Sequence, residues 1–298
     1  MSGVLLPRTL NSLWEILEEE SGALVYAGGT DLLVKLRQSM SRPPSLVCLE
    51  RIEELKTVEE RKEALFIGAC TTHTSLMNDP LIRSFFPVLA KALKVLGSPP
   101  VRNMGTIGGN ICSASPAADT LPPLYVLDAE VEIRSHSASR RMALKEFIRG
   151  PGKTSLRAGE ILSGVRLRKP PEYNIHHFEK VGQRNALAIA IVSLAAVLKV
   201  SPSGTVEKVR LAWGSVGPTV VTSAPVEKAL TGRPLSMETL KKAGELAQNA
   251  VSPIDDVRAG ASYRRLVAGN LLRRLIDEPR LNYAPGSAPE PVPMQAGG

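Results

Sequence analysis

The chain has 298 residues, of which 43% are hydrophobic and 22% charged, and it carries a formal net charge of +8. That is enough chain for two domains or one large one, while no apolar run approaches the ~20 residues needed to span a bilayer. The basic surplus would suit an anionic partner, but with 4% aromatics, scattered basic pairs and no nucleic-acid motif it does not describe a nucleic-acid interface.

Arg8 is followed by an amphipathic, acidic segment and not by an apolar leader, so the expected location is cytoplasmic. Ser12 and Glu15 have capping-box spacing ahead of Leu13, Trp14, Ile16 and Leu17, which predicts a helix that ends at Gly22. Residues 23–27 read as a short buried strand. It runs into Ala27-Gly28-Gly29-Thr30-Asp31, after which Leu32, Leu33 and Leu36 recur at helical spacing. A glycine loop between a strand and a helix start suits an anion, because its backbone N–H groups can turn toward a ligand.

Residues 45–49 and 64–69 read as strands, 71–78 as a short Thr-capped helix, and 82–96 as an amphipathic helix broken near Pro87. Gly97-Ser98-Pro99-Pro100 ends that helix, and residues 101–105 lead as a loop into Thr106-Ile107-Gly108-Gly109-Asn110. Ser115-Pro116-Ala117-Ala118-Asp119 follows shortly after, with Pro122-Pro123 dividing the next apolar segment. Either glycine pair alone reads as a tight turn. Two of them, each behind an apolar run, point to loops that close on one dinucleotide from opposite sides.

Residues 130–135 alternate as a strand with 140–143 as a partner, and 160–168 read as another strand. The Gly150-Pro151-Gly152-Lys153-Thr154 turn lacks the leading glycine and the strand–helix setting of a P-loop. Lys169-Pro170-Pro171 marks a domain boundary. Beyond it, residues 174–181, the apolar run 186–200 and residues 206–214 form an antiparallel meander, and 224–230, 236–251 and 262–276 are helical. His176 and His177 fall on opposite faces of a strand. Residues 279–298, rich in Pro, Gly and Ala, are expected to be a disordered tail.

Cys48, Cys70 and Cys112 have no CxxC spacing and the four histidines show no ligand pattern. No disulfide framework, metal site or iron–sulfur centre is therefore expected. With no nucleophile-elbow motif, no catalytic side chain is assigned, and the chemistry is expected to come from a bound cofactor. On the residues alone, Asp119 reads as a helix cap or surface acid, Lys180 as a solvated strand residue and Leu162 as core.

These motifs, in this order, resemble the FAD-binding (medium) subunit of the molybdenum hydroxylases, a family that includes xanthine and carbon monoxide dehydrogenases. The resemblance covers nearly the whole chain. It rests on the two glycine stretches, on Ser115 to Asp119, on Glu160-Ile161-Leu162, on Lys180-Val181-Gly182-Gln183-Arg184 before Ala188-Ile189-Ala190, and on Tyr263-Arg264. Gly150-Pro151-Gly152-Lys153 looks most like the bacterial xanthine dehydrogenase branch.

The resemblance implies an α+β fold. Residues 1–170 would form a two-subdomain FAD-binding domain of the vanillyl-alcohol-oxidase (PCMH) type, divided at about residue 55, and residues 171–278 a three-stranded antiparallel sheet plus a helix bundle. Val25, Tyr26, Ala27, Gly28, Gly29, Thr30, Asp31 and Leu32 would hold the pyrophosphate from one side. Thr106, Ile107, Gly108, Gly109 and Asn110 would hold it from the other. Asp119 matches a carboxylate that hydrogen-bonds the cofactor. Leu162 and Lys180 match positions near the isoalloxazine and adenine ends, in one order or the other. Leu96 stands where animal xanthine dehydrogenases have a ring-stacking Phe.

The implied activity is electron transfer in a heterotrimer. A molybdopterin subunit would oxidise the substrate, [2Fe–2S] clusters on a second partner would relay the electrons, and FAD on this chain would deliver them to NAD⁺ or another acceptor. Two other readings are a stand-alone FAD-dependent reductase of the same fold, such as an enolpyruvyl-sugar reductase, and a non-redox nucleotide-binding protein. Residues 180–200 and the C-terminal helices favour the first.

Overall fold

The computed structural model describes residues 3–38, 44–169, 173–184 and 187–278. The expected boundary at Pro170-Pro171 and the expected tail at 279–298 lie outside them. The first unit comprises β1 (Val4–Leu5), α1 (Leu10–Glu19), β2 (Leu24–Tyr26), α2 (Leu32–Gln38) and β3 (Leu46–Cys48). Its strands form a parallel sheet in the order β1-β3-β2. The cap of α1 is Thr9 and not Ser12. Thr9 is extended, and the Ser12 N–H donates to its Oγ1 at 3.1 Å while the Thr9 N–H donates to Ser12 Oγ at 3.2 Å. The reciprocal box therefore closes with Ser12 as its third helical residue. Leu13 and Trp14 turn inward onto Val47, Ile52 and Leu55.

The second unit begins with β4 (Val58–Arg61) and β5 (Ala64–Gly68), followed by a run of short helices. These are α3 (His73–Asn78), α4 (Pro80–Phe85), α5 (Pro87–Val95), α6 (Pro99–Met104), α7 (Ile107–Ser113) and α8 (Leu121–Val126). The break expected near Pro87 is present. Phe86 ends α4 and Pro87 opens α5 at the position where a missing N–H costs nothing. The same rule corrects two expectations. The preceding helix ends as expected, with α5 closing at Val95, but Pro99 and Pro100 also start α6, capped by Ser98, and Pro122 and Pro123 do not divide their segment but sit in the first turn of α8.

The remaining elements of this unit are β6 (Glu130–Arg134), β7 (Ser139–Ala143), α9 (Leu144–Phe147), the β8 (Ile148–Gly150) and β9 (Lys153–Thr154) hairpin, and β10 (Ile161–Arg168). An antiparallel sheet in the order β4-β5-β10-β6-β7 results, with the helices on its apolar face.

The third unit is the expected meander. Strands β11 (Ile175–Val181), β12 (Val192–Val200) and β13 (Val206–Gly214) pair antiparallel in sequence order, with Lys180 opposite Ser193. Helices α10 (Ala224–Leu230), α11 (Met237–Ala250) and α12 (Ala261–Asn270) follow, then a 3₁₀ turn at Leu271–Ile276. The apolar run of β12 is explained by burial on both faces. Ala195 and Val197 join the core of the second unit, while Leu194, Ala196 and Leu198 face the C-terminal helices. Trp213, fully buried, donates its indole N–H to Ala268 O at 3.0 Å. Arg264, 3% exposed, donates to Ile191 O, Ser215 O and Asp256 Oδ1.

Polar groups also join the second and third units. Lys91 Nζ on α5 donates to His176 O at 2.6 Å and to Glu278 Oε2 at 2.7 Å, and His177 Nδ1 lies 2.7 Å from Glu278 Oε1. Removal of Glu278 strands a buried imidazole and a half-buried ammonium. Glu278→Ala is therefore expected to lower the unfolding free energy by about 1–3 kcal/mol in urea titrations. Lys242→Ala, which breaks an exposed pair with Glu238, should leave the midpoint where it is. Equal responses from the two variants would refute the clasp.

Candidate functional site

The two glycine stretches meet. β2 delivers the chain to Gly28, whose missing Cβ would lie 1.7 Å from Met104 O, at the C-terminal end of α6. No side chain fits there, so Gly28 is fixed by the approach of two backbones. Beside this contact lies a cleft of about 310 Å³. Its walls include Val25 to Leu32 from the first stretch, Leu96 at the end of α5, and Thr106, Gly109 and Asn110 from the second. A second cavity of about 420 Å³ shares Ala27, Gly28 and Thr106 with the cleft and carries Glu50, Arg51, Lys56, Ser75 and Asn103. A larger cavity of about 900 Å³, between β6 and β13, contains none of the expected site residues.

The two stretches contribute differently. Among the described residues, no protein acceptor meets the backbone N–H groups of Gly28, Gly29, Thr30 or Asp31. Four successive unpartnered N–H groups ahead of α2 form an anion cradle. Asp31 does not spoil it. Burial works to raise its pKa, but hydrogen bonds from Lys35 Nζ (2.6 Å) and Ser113 Oγ (2.8 Å) prevail and hold the carboxyl below its usual range.

The second stretch is not a loop but the first turn of α7, capped by Thr106. Its N–H groups are consumed. Ile107 donates to Thr71 O, Gly108 to Ala69 O, Gly109 to Thr106 Oγ1 and Asn110 to Thr106 O. Gly108 is a packing residue, since a Cβ there would meet Ala69 at 2.5 Å. Gly109 differs, because its Cβ would meet only Thr106 Oγ1 at 3.0 Å and otherwise project into the cleft. Asn110 accepts from Thr120 Oγ1 at 2.6 Å and leaves its amide N–H₂ without a partner among the described residues.

Asp119 and Lys180, 61 residues apart, form one ion pair at 2.7 Å. Lys180, expected from its strand to be solvated, is buried, and it also donates to Val95 O, next to Leu96, at 2.7 Å. Asp119 Oδ1 has no partner among the described residues. Burial raises the Asp119 pKa to about 6, against the pull of Lys180. Leu162 is not at the cleft. It is 4% exposed, on β10 within the core of the second unit, and Ile107 is likewise core.

Sequence reasoning passed over His73, Gly105, Cys112 and Ser113, which also line the cleft. His73 is 2% exposed, with Nδ1 unpartnered among the described residues. Among the described residues six buried polar atoms have no partner; one is on His73, which lines the cleft, and two are on Arg102 and Asp119, tied to the end of α5 through Leu96 O and through Lys180. Unmet donors and acceptors, an N–H cradle and an open glycine fit an elongated, oxygen-rich dinucleotide. All three cysteines are free thiols, and burial pushes Cys70 and Cys112 up to about 12. Among the described residues, no group of three or more potential metal ligands occurs, and no helix is long and apolar enough to cross a membrane.

Folded, Asp119 keeps its proton up to about pH 6; unfolded, it loses it near 3.8. The proton favours folding below that window, and the advantage is lost as the pH rises through 6. The stability of the wild type relative to Asp119→Asn is therefore expected to fall by about 2 kcal/mol between pH 4 and 7 and then to level off. A flat difference across that range would contradict the buried carboxyl.

Comparison with known proteins agrees with this geometry. Residues 1–170 match the family described as the FAD binding domain in molybdopterin dehydrogenase, and residues 177–278 the CO dehydrogenase flavoprotein C-terminal domain. The chain is 32% identical over 275 residues to a putative xanthine dehydrogenase FAD-binding subunit of Escherichia coli, covering 91% of this chain and 93% of that one. It is 29% identical over 274 residues to the nicotinate dehydrogenase FAD-subunit of Eubacterium barkeri, covering 90% and 93%. Among solved structures, a chain of quinoline 2-oxidoreductase from Pseudomonas putida superposes with a TM-score of 0.87 at 28% identity, covering 93% of this chain and 95% of that one. Two family models thus account for residues 1–170 and 177–278, and the chain belongs to the family of FAD-binding subunits of the molybdenum hydroxylases.

Proposed function

We propose that this chain holds FAD in the cleft between the two glycine stretches, receives electrons there from [2Fe–2S] clusters of a partner subunit, and passes them to NAD⁺ or another acceptor. The observation that carries the reading is the row of unpartnered N–H groups from Gly28 to Asp31, on residues that line the cleft, with a second cavity adjoining it at Ala27, Gly28 and Thr106. FAD supplies the redox chemistry, because it exchanges electrons singly with clusters and in pairs with a nicotinamide. The chain's own groups bind and orient it. The Gly28 to Asp31 amides neutralise the pyrophosphate, and Val25, Tyr26 and Leu32 wall the cleft around them. Gly109 lets the cofactor lie against α7, and the Asn110 amide is free to donate to it.

Leu96 offers an aliphatic wall where a stacking ring stands in animal xanthine dehydrogenases. Asp119 presents a free carboxylate oxygen, and Lys180 holds that carboxylate in place from the third unit. Leu162, buried behind this surface, acts through packing. In this reading residues 1–170 form the FAD-binding domain and 171–278 the C-terminal domain. The complex is a cytoplasmic heterotrimer with an iron–sulfur and a molybdopterin subunit, and substrate choice resides on the molybdopterin subunit. The paucity of cysteine here suits that division of labour.

Gly109→Val adds an isopropyl group on the cleft side, whose Cβ meets no backbone and only the Thr106 hydroxyl, at 3.0 Å. The variant should fold with an unchanged circular dichroism spectrum while its flavin absorbance per chain falls at least tenfold. A full flavin complement in that variant would displace the cofactor from this cleft. Purification from the native source should bring down molybdenum- and iron-bearing subunits in equal amounts with this chain. A yellow protein that is fully active alone with a soluble substrate would instead favour the stand-alone reductase.

A further inference from the structure

His73 is the first residue of α3 and lines the cleft together with residues of both glycine stretches. Its own N–H donates to Gly105 O at 2.9 Å, and its ring lies so close to Gly105 that a Cβ there would come within 3.1 Å of Cδ2. The side chain is 2% exposed. Neither ring nitrogen has a hydrogen-bond partner among the described residues, and Nδ1 is fully enclosed.

The neighbouring backbone cannot supply a partner. The N–H of Gly105 is held by Val101 O, that of Ile107 by Thr71 O and that of Gly108 by Ala69 O. Burial, and then the nearby Arg102 charge, lower the His73 pKa to about 4, so the ring is neutral at physiological pH. A neutral imidazole has one N–H to give and one lone pair to fill. Buried polar groups of this kind are rarely left unmatched; Nδ1 is enclosed by protein, so Nε2 is the ring nitrogen that a ligand in the cleft can reach.

We propose that His73 is a cofactor-binding residue of this chain, its imidazole forming a hydrogen bond with an oxygen of the pyrophosphate–ribityl portion of FAD. The inference rests on the FAD reading above. It assigns the residue a contact that complements the Gly28 to Asp31 amides. They bear the charge of the diphosphate, while the ring fixes its position along the cleft.

The test uses the full chain stripped of flavin. FAD is titrated by quenching of its fluorescence into the wild type, His73→Leu and His73→Gln, and the melting temperature of each flavin-free protein is recorded. The expected result is a dissociation constant raised at least tenfold in His73→Leu and largely restored in His73→Gln, whose amide can replace the hydrogen bond. The flavin-free His73→Leu protein should melt no lower than wild type, because the orphaned group is gone. Wild-type affinity in His73→Leu would overturn the inference while leaving the FAD reading intact. A lowered melting temperature with no recovery in His73→Gln would overturn it in favour of a purely structural role. Failure of the wild type to bind FAD would overturn the reading beneath it, and this inference with it.

Discussion

The approach of the Gly28 backbone to the carbonyl of Met104 is the constraint on which the site depends. Two chain segments about 75 residues apart come closer here than any side chain allows. The contact places the C-terminal end of α6 against the loop after β2, and so separates two cavities that share Gly28 as a common wall. Everything downstream follows from holding Met104 there. Thr106 can cap α7, the bridge between Thr72 and Thr106 forms, and the N–H groups of α7 find the carbonyls of Thr71 and Ala69. One stretch is thereby saturated by protein partners and the other left free. Two similar-looking glycine pairs become a rigid wall and an open cradle.

The third sheet is more than an appendage to this arrangement. With both its faces buried, it shares one core with the helices around the cleft and another with the C-terminal helices. Its first strand sends Lys180 to the carboxylate of Asp119 and to the last carbonyl of α5. A buried ion pair contributes little net stability, because both charges lose water, but it favours one geometry strongly. Here it fixes the strand, the helix end carrying Leu96 and the segment leading into α8.

The legible parts of the sequence were those governed by local rules. Period-2 and period-3.6 patterns located the strands of the meander, α10 and α11, and the break at Pro87. The failures share a cause. Pro-Pro reads as a break and Gly-Gly as a loop, whereas at 99–100, 108–109 and 122–123 these pairs occupy first turns of helices, where proline's missing N–H costs nothing and the bare Gly108 packs against Ala69. At the site, the resemblance supplied Asp119 and Lys180 as separate positions. Their union could not be read, because it depends on packing across 61 residues. His73 carried no local sign of burial at all, and a lone histidine after two threonines looks like surface. Leu162 illustrates the converse, since an apolar strand residue gives no hint of whether it faces a ligand or a core.

The alternation of β11 has a bearing on how errors are excluded. Lys180 lies on the same face as Phe178, toward the core of the second unit, while His177 and Glu179 lie on the opposite face near Glu278 and Arg274. A slip of one residue would exchange the faces. It would bring the Glu179 carboxylate toward Asp119 and move Lys180 toward the Arg274 side, setting like charges together at both ends. The correctly paired strand is thus checked by electrostatics where it meets Asp119 and the end of α5, and a chain that has mispaired its third sheet loses the tie that holds the helix end carrying Leu96.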